Sequence, residues 1–164
     1  IVFKILYEVH KLLTLVFTGK LIKFGNFTCL PKDHVKQLIQ KPYLWNSYSS
    51  SIVRTINDRT FILSKRGLRY VLPSKMNFTG LVFHSLAIIS VFRNTVIIRS
   101  IAFLLIYLFL ISNNFSILTL IPILFLILFV LIILKISKRT NMDGLNKSLE
   151  NIGSIDVLDG SNSR

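Results

Sequence analysis

One cysteine in 164 residues, Cys29, excludes an internal disulfide and any zinc site built from several cysteines. Its apolar neighbour Leu30 predicts a buried, inert thiol. Acidic residues are equally scarce, seven against twenty Lys and Arg. Asp33 and Asp58 stand alone, so no carboxylate pair offers general acid–base work or a metal clamp. The three histidines, His10, His34 and His84, are far apart and lack metal-ligand spacing. No internal repeat and no secretory leader are visible, because Ile1–Phe17 carries Lys4, Glu8, His10 and Lys11. Met76 and Met142 are the two methionines, and a chain opening on Ile1 reads as the back part of a longer protein. Residues 1–95 are too few for a full catalytic domain beside an anchor.

What the chain has in quantity is grease. From Ile101 to Leu134 it is almost continuously apolar, broken at Ser112-Asn113-Asn114. Phe115–Leu134 has no ionisable residue and reaches the roughly 20 residues a helix needs to cross a bilayer. Lipid offers backbone amides no partner, so a helix is the expected spanning form. The preceding stretch carries Arg99 near its start, where the side chain can snorkel to headgroups. The pair reads as a transmembrane hairpin over 96–136, with spans 96–112 and 115–136 and the asparagines at its tip. The competing reading is two buried helices of a soluble core.

Positive charge is the second surplus, a net +13. Nearly all of it lies before the hairpin; the segment after Lys135 is balanced. A basic body beside a membrane hairpin predicts anionic headgroups or a phosphorylated ligand as partner. No nucleic acid is expected, since no nucleic-acid-binding module is recognisable. The positive-inside bias puts the basic body and the Lys135–Arg139 end in the cytoplasm, so both termini are cytoplasmic.

Residues 1–17 form an amphipathic helix with Val2, Leu6, Val9, Leu13 and Phe17 on one face. Leu21–Leu30 reads as a strand interrupted at Gly25-Asn26, and Arg59–Ser64 as another. Pro31 opens a short helix to about Gln40, with Asp33 near its positive end. Tyr43–Ile56 reads as a helix. Lys65–Lys75 is a basic loop. Residues 77–94 form a second amphipathic helix, expected to lie in the membrane interface. Pro122 is a tolerated kink in the second span. The polar stretch 137–164 reads as a disordered cytoplasmic tail.

The basic loop holds the most suggestive chemistry. Arg66, Arg69, Ser74 and Lys75 offer guanidinium forks, a hydroxyl and a point charge to phosphate oxygens, just ahead of an interfacial helix. A solvated loop that merely attracts anionic lipid has the same composition. Trp45-Asn46, flanked by Tyr43 and Tyr48, is a candidate stacking platform or a partly buried core cluster. Three glycosylation-type sequons, at Asn26, Asn77 and Asn114, are short matches that carry no weight.

In order, Phe24-Gly25-Asn26-Phe27, Leu44-Trp45-Asn46, Arg66-Gly67-Leu68-Arg69-Tyr70, Ser74-Lys75-Met76-Asn77 and Leu81-Val82-Phe83-His84 resemble the C-terminal half of membrane-anchored family 2 glycosyltransferases. That group includes the polyprenyl- and dolichyl-phosphate sugar transferases. The resemblance covers about Leu12–Arg99 and, in outline, the hairpin. It implies a mixed fold: a short α/β remnant of a nucleotide-sugar transferase domain over 1–76, then the interfacial helix and the hairpin. It implies a nucleotide-sugar donor, a polyprenyl-phosphate acceptor and Mg²⁺ or Mn²⁺, with donor site, catalytic groups and metal ligands upstream of Ile1. Sugar transfer would then proceed by metal-assisted departure of the nucleotide diphosphate. By the same analogy Arg66, Arg69, Ser74 and Lys75 bind the acceptor phosphate, and Trp45 and Asn46 line the acceptor cleft. Two positions depart from the pattern: Ser47 stands where a histidine is usual, and Leu72-Pro73 where a glycine precedes Ser-Lys. The rival is a non-enzymatic hairpin or scaffold protein whose basic face binds anionic lipid. A small transporter is disfavoured, because neither span has an ionisable residue at mid-depth.

Overall fold

The structure is a computed structural model that describes residues 2–22, 27–60, 62, 77–139 and 147. Its regular elements are all helical: α1 (Val2–Thr18), α2 (Lys32–Ile39), a 3₁₀ turn (Pro42–Trp45), α3 (Tyr48–Thr55), α4 (Phe78–Ser90), α5 (Arg93–Ile111) and α6 (Ile117–Ser137).

The expected α/β remnant is therefore corrected. Among the described residues there is no strand. The described parts of Leu21–Leu30 and Arg59–Ser64 are irregular chain, and residues 23–26, 61, 63 and 64 lie outside the description. The physical reason is pairing. A β-favourable run becomes a strand only beside a partner, and every described neighbour here is a helix. The basic loop and most of the tail also lie outside the description.

Local chemistry sets the helix boundaries. Pro42 begins the 3₁₀ turn, where its fixed φ suits a first position. The expected single helix over Tyr43–Ile56 is broken at Asn46-Ser47. Ser47 has an extended backbone and accepts from the Ser50 amide at 3.4 Å, which restarts the chain as α3. Asn77 caps α4 in the same way, accepting from Gly80 N at 2.8 Å. Ser116 opens α6, its amide donating to Thr119 Oγ1 at 3.0 Å.

α5 and α6 pack against each other as an antiparallel pair joined by residues 112–116. Tyr107 donates to the Thr119 carbonyl at 3.1 Å near the turn. At the other end, Ile89 of α4, Val96 of α5 and Ile133 of α6 form a buried cluster, with Phe17 of α1, Leu86 and Phe129 against it. A second cluster joins Val53 of α3 to Val91 and Phe92 at the α4–α5 corner. A third holds α2 to α3 through Leu38, Ile52 and Ile56. So α1–α4 gather at the base of the pair and leave its tip half bare.

Both long helices are long and apolar enough to cross a membrane, with mean hydropathy of 2.1 for α5 and 3.4 for α6. Only 6% of the most apolar window of α6 is buried, and 17% of that of α5. A helix apolar on every side is ordinarily buried in protein or in lipid. The protein covers little of these two, which argues against the soluble-core reading.

On α1 the expected apolar face is packed at its C-terminal end, where Phe17 rests against the buried cluster. Val9 and Leu13 are exposed, whereas Thr14 and Thr18 are buried. The Thr14 hydroxyl donates to the His10 carbonyl at 2.8 Å, and the Thr18 hydroxyl to the Thr14 carbonyl at 2.6 Å. With their polar groups satisfied within the helix, these small side chains allow a close approach to α4 and α5. Ile5, Leu12 and Leu15 face outward.

Candidate functional site

Three arginines, Arg54, Arg59 and Arg99, are docked on helix C-termini. Arg99 donates to the Val16 carbonyl at 2.8 Å and so closes the end of α1. Its guanidinium lies over Gly19, whose φ of 69° turns the chain out of α1. Arg59 donates to the Val53 carbonyl at 2.8 Å and also to the Ile56 carbonyl, at the end of α3. Arg54 donates to the Val91 carbonyl at the α4–α5 corner, and its guanidinium stacks 4.2 Å from the Tyr43 ring centroid. Each cation meets unpaired carbonyls at the negative end of a helix dipole, or at a helix corner. The signal available in the sequence was Arg54 in the last turn of α3 and Gly19 one residue past α1.

Trp45 closes the 3₁₀ turn and remains 38% exposed. Asn46 follows and is only 6% exposed. Among the described residues neither its side-chain oxygen nor its nitrogen has a hydrogen-bond partner. A buried amide left unpaired costs about 1–3 kcal/mol. Ser50 Oγ nearby in sequence is also without a partner, while Ser51 Oγ donates to the Ser47 carbonyl at 2.7 Å. Ser47, where the resembled family usually has histidine, is the N-cap of α3. The Tyr43 hydroxyl bonds Thr55 Oγ1 at 3.0 Å, and Tyr48 bonds Thr28. The two tyrosines flanking Trp45 are thus tied to the protein.

Arg66, Arg69, Ser74 and Lys75 lie outside the described residues. Their segment joins α3 to α4, two helices packed at the base of the hairpin. Cys29, expected buried, is exposed.

The described residues do not fit the implied Mg²⁺ or Mn²⁺. No three of their His, Cys, Asp and Glu side chains come together. Glu8 is paired with Lys11 at 2.8 Å and Asp33 with Lys36 at 3.8 Å. His10 has its pKa lowered, first by burial and then by the neighbouring His84, and its ring nitrogen lies 3.4 Å from Thr14 Oγ1.

No family model matches the chain, and comparison with curated proteins and with solved structures gives no match.

Proposed function

We propose that this chain is the membrane-anchoring, C-terminal part of a family 2-type glycosyltransferase. The complete enzyme moves a sugar from a nucleotide-sugar to a polyprenyl phosphate at the cytoplasmic face of the inner membrane. The donor domain and metal ligands precede this chain, which by itself is inactive.

The observation that carries the reading is the one-sided build of the molecule. Four short helices cluster at one end of an otherwise bare apolar pair. The segment bearing Arg66, Arg69, Ser74 and Lys75 connects two of them. A phosphate acceptor on a lipid tail needs cations at headgroup depth, beside a firm anchor. The order of the motifs in the sequence adds to this.

In this reading the tip, Asn113, faces away from the cytoplasm, and both chain ends face it. Reporter fusions test the topology: an outside signal at Asn113 and an inside signal at Arg139 are expected, and an inside signal at Asn113 breaks the hairpin. Function is tested in membranes carrying the complete protein. Arg66→Ala with Arg69→Ala weakens use of the lipid phosphate by at least roughly tenfold, the scale of one lost charge-assisted hydrogen bond. Resistance to alkaline extraction is unchanged. Unaltered acceptor kinetics would remove the phosphate role.

The second reading is a non-enzymatic hairpin whose basic face binds anionic lipid. It is favoured by Lys135, Lys138 and Arg139 at the hairpin end and by a described region whose regular elements are all helices. It predicts no sugar transfer by the complete protein, and vesicle binding that follows anionic lipid content alone.

A further inference from the structure

A cavity of about 220 Å³ opens where the end of α1, the end of α3 and the start of α5 meet. Its polar wall is Lys20, Arg54, Asn57, Asn94 and Thr95. Val53 and Phe92, both buried in the cluster at the α4–α5 corner, form its floor. The volume is several times the roughly 30 Å³ share of one water, enough for a tetrahedral oxyanion and its nearest substituents.

The wall has the wrong chemistry for a cation and the right one for an anion. It holds two positive side chains and no carboxylate. The described carboxylates are Glu8, Asp33 and Asp58; none lines the cavity, and the first two are paired elsewhere. Arg54 is held in place by the Tyr43 ring and the Val91 carbonyl. A guanidinium has five N–H donors, and one nitrogen is committed to that carbonyl, so a fork of donors is left for a ligand. Among the described residues, neither Arg54 nor Lys20 is in an ion pair. Asn57, Asn94 and Thr95 add neutral donors around the same space.

The depth is also informative. Asn94 and Thr95 lie in the first turn of α5, ahead of the apolar run that begins at Val96. If α5 crosses the bilayer, its first turn sits among the headgroups.

We propose that this cavity binds a phosphate group, presented by an anionic phospholipid headgroup or by a soluble phosphate. The site is separate in sequence from Arg66, Arg69, Ser74 and Lys75 and does not depend on the glycosyltransferase reading.

The test is native mass spectrometry of the purified full chain in a zwitterionic detergent. It is titrated separately with phosphatidic acid, phosphatidylglycerol, phosphatidylcholine and inorganic phosphate. A saturable single adduct with the two anionic lipids, weaker or missing with phosphatidylcholine, is expected. Saturation by inorganic phosphate without lipid adducts supports the site and assigns its ligand to the soluble source. Lys20→Gln lowers the affinity by roughly tenfold, the worth of one charge-assisted hydrogen bond. Asn94→Asp lowers it at least as much, since it sets a negative charge in the wall. That variant also guards against misfolding, because an acid in the first turn of a helix favours the helix. Lys36→Gln, an exposed cation on α2, is the control for net charge. Binding that is lost equally in Lys36→Gln, retained in both cavity variants, or absent for every phosphate probe would overturn the proposal.

Discussion

The two ends of the α5–α6 pair are built for different surroundings. At the base, Ile89, Val96 and Ile133 are almost wholly buried among four helices. From the tip toward the middle of the pair, Phe109, Leu110, Leu118, Leu124 and Phe125 are each about two-thirds or more exposed. Both ends are apolar, so composition does not distinguish them. The difference lies in what covers them. The base spends its apolar surface on packing and closes its helix ends with arginines. The tip leaves large apolar side chains of both helices exposed side by side. It is consistent with lipid as the missing neighbour.

Breaking the base has the largest expected effect. Ile89→Ala removes the centre of the buried cluster and costs about 2–5 kcal/mol, read as a lower thermal midpoint in detergent. The equivalent Leu118→Ala at the tip leaves that midpoint near the parent value, because that side chain is mostly exposed and little packing is lost. An equal loss at both positions would erase the distinction between the ends.

A charge sharpens the comparison from the other side. Leu124→Arg near the middle of α6 opposes insertion by about 2.5–3.5 kcal/mol. The readout is the fraction of protein resisting alkaline extraction from membranes. Full retention would mean that this surface meets water or a protein partner.

The attachment of α1 is a smaller matter. In Gly19→Ala the residue must keep φ of 69° and places a new methyl 2.6 Å from Arg99 Nη2. The left-handed conformation costs roughly 1–2 kcal/mol; the arginine, being flexible, adds less by moving. Faster hydrogen exchange confined to α1 and the start of α5 is expected. Uniform exchange across the base would show that Arg99 and Gly19 do not act as a latch.

The smallest effect is pH-dependent. The His10 pKa is lowered below its ordinary 6.5, so the folded base favours the neutral ring. Between the lowered pKa and 6.5 the unfolded chain binds more protons than the folded one. The contribution is therefore complete above about pH 6.5 and is lost as pH falls through the folded value. A thermal midpoint that declines on acidification, and declines less in His10→Asn, is the expected result. Identical pH profiles for the two proteins would assign the dependence to other groups.

Several elements were legible because their signals are local. The 3.6-residue spacing and the Pro31–Gln40 boundaries located α1 and α2 to within a residue or two, and the start of α4; the helix expected over 77–94 ends at Ser90, and Arg93 already opens α5. The unbroken apolar runs and the Ser112–Asn114 interruption located α5 and α6. The strands expected over Leu21–Leu30 and Arg59–Ser64 failed because pairing partners are not written in a local run. Trp45 and Asn46 were singled out for their aromatic neighbourhood. That Asn46 is buried with both polar atoms unpaired depends on what surrounds it. Ser47 looked like the loss of a functional side chain and proved to be the cap that starts α3. Of the apolar face read on α1, Phe17 packs against the buried cluster while Val9 and Leu13 are exposed; Thr14 and Thr18 are buried as well, because close helix approach rewards small side chains. The cavity wall was invisible to a linear reading, since Lys20, Arg54 and Asn94 are far apart in the chain.

Composition alone determined that this protein has two segments long and greasy enough for lipid, and a strongly cationic remainder. Both follow from summed side-chain properties, independent of how the chain folds. Only the tertiary structure decided which cations are occupied. It placed Arg99 and Arg59 on helix ends and set Arg54, bonded to the Val91 carbonyl, in the wall of a cavity that Lys20 also lines. A helix dipole and a concave wall exist only once distant segments have been brought together.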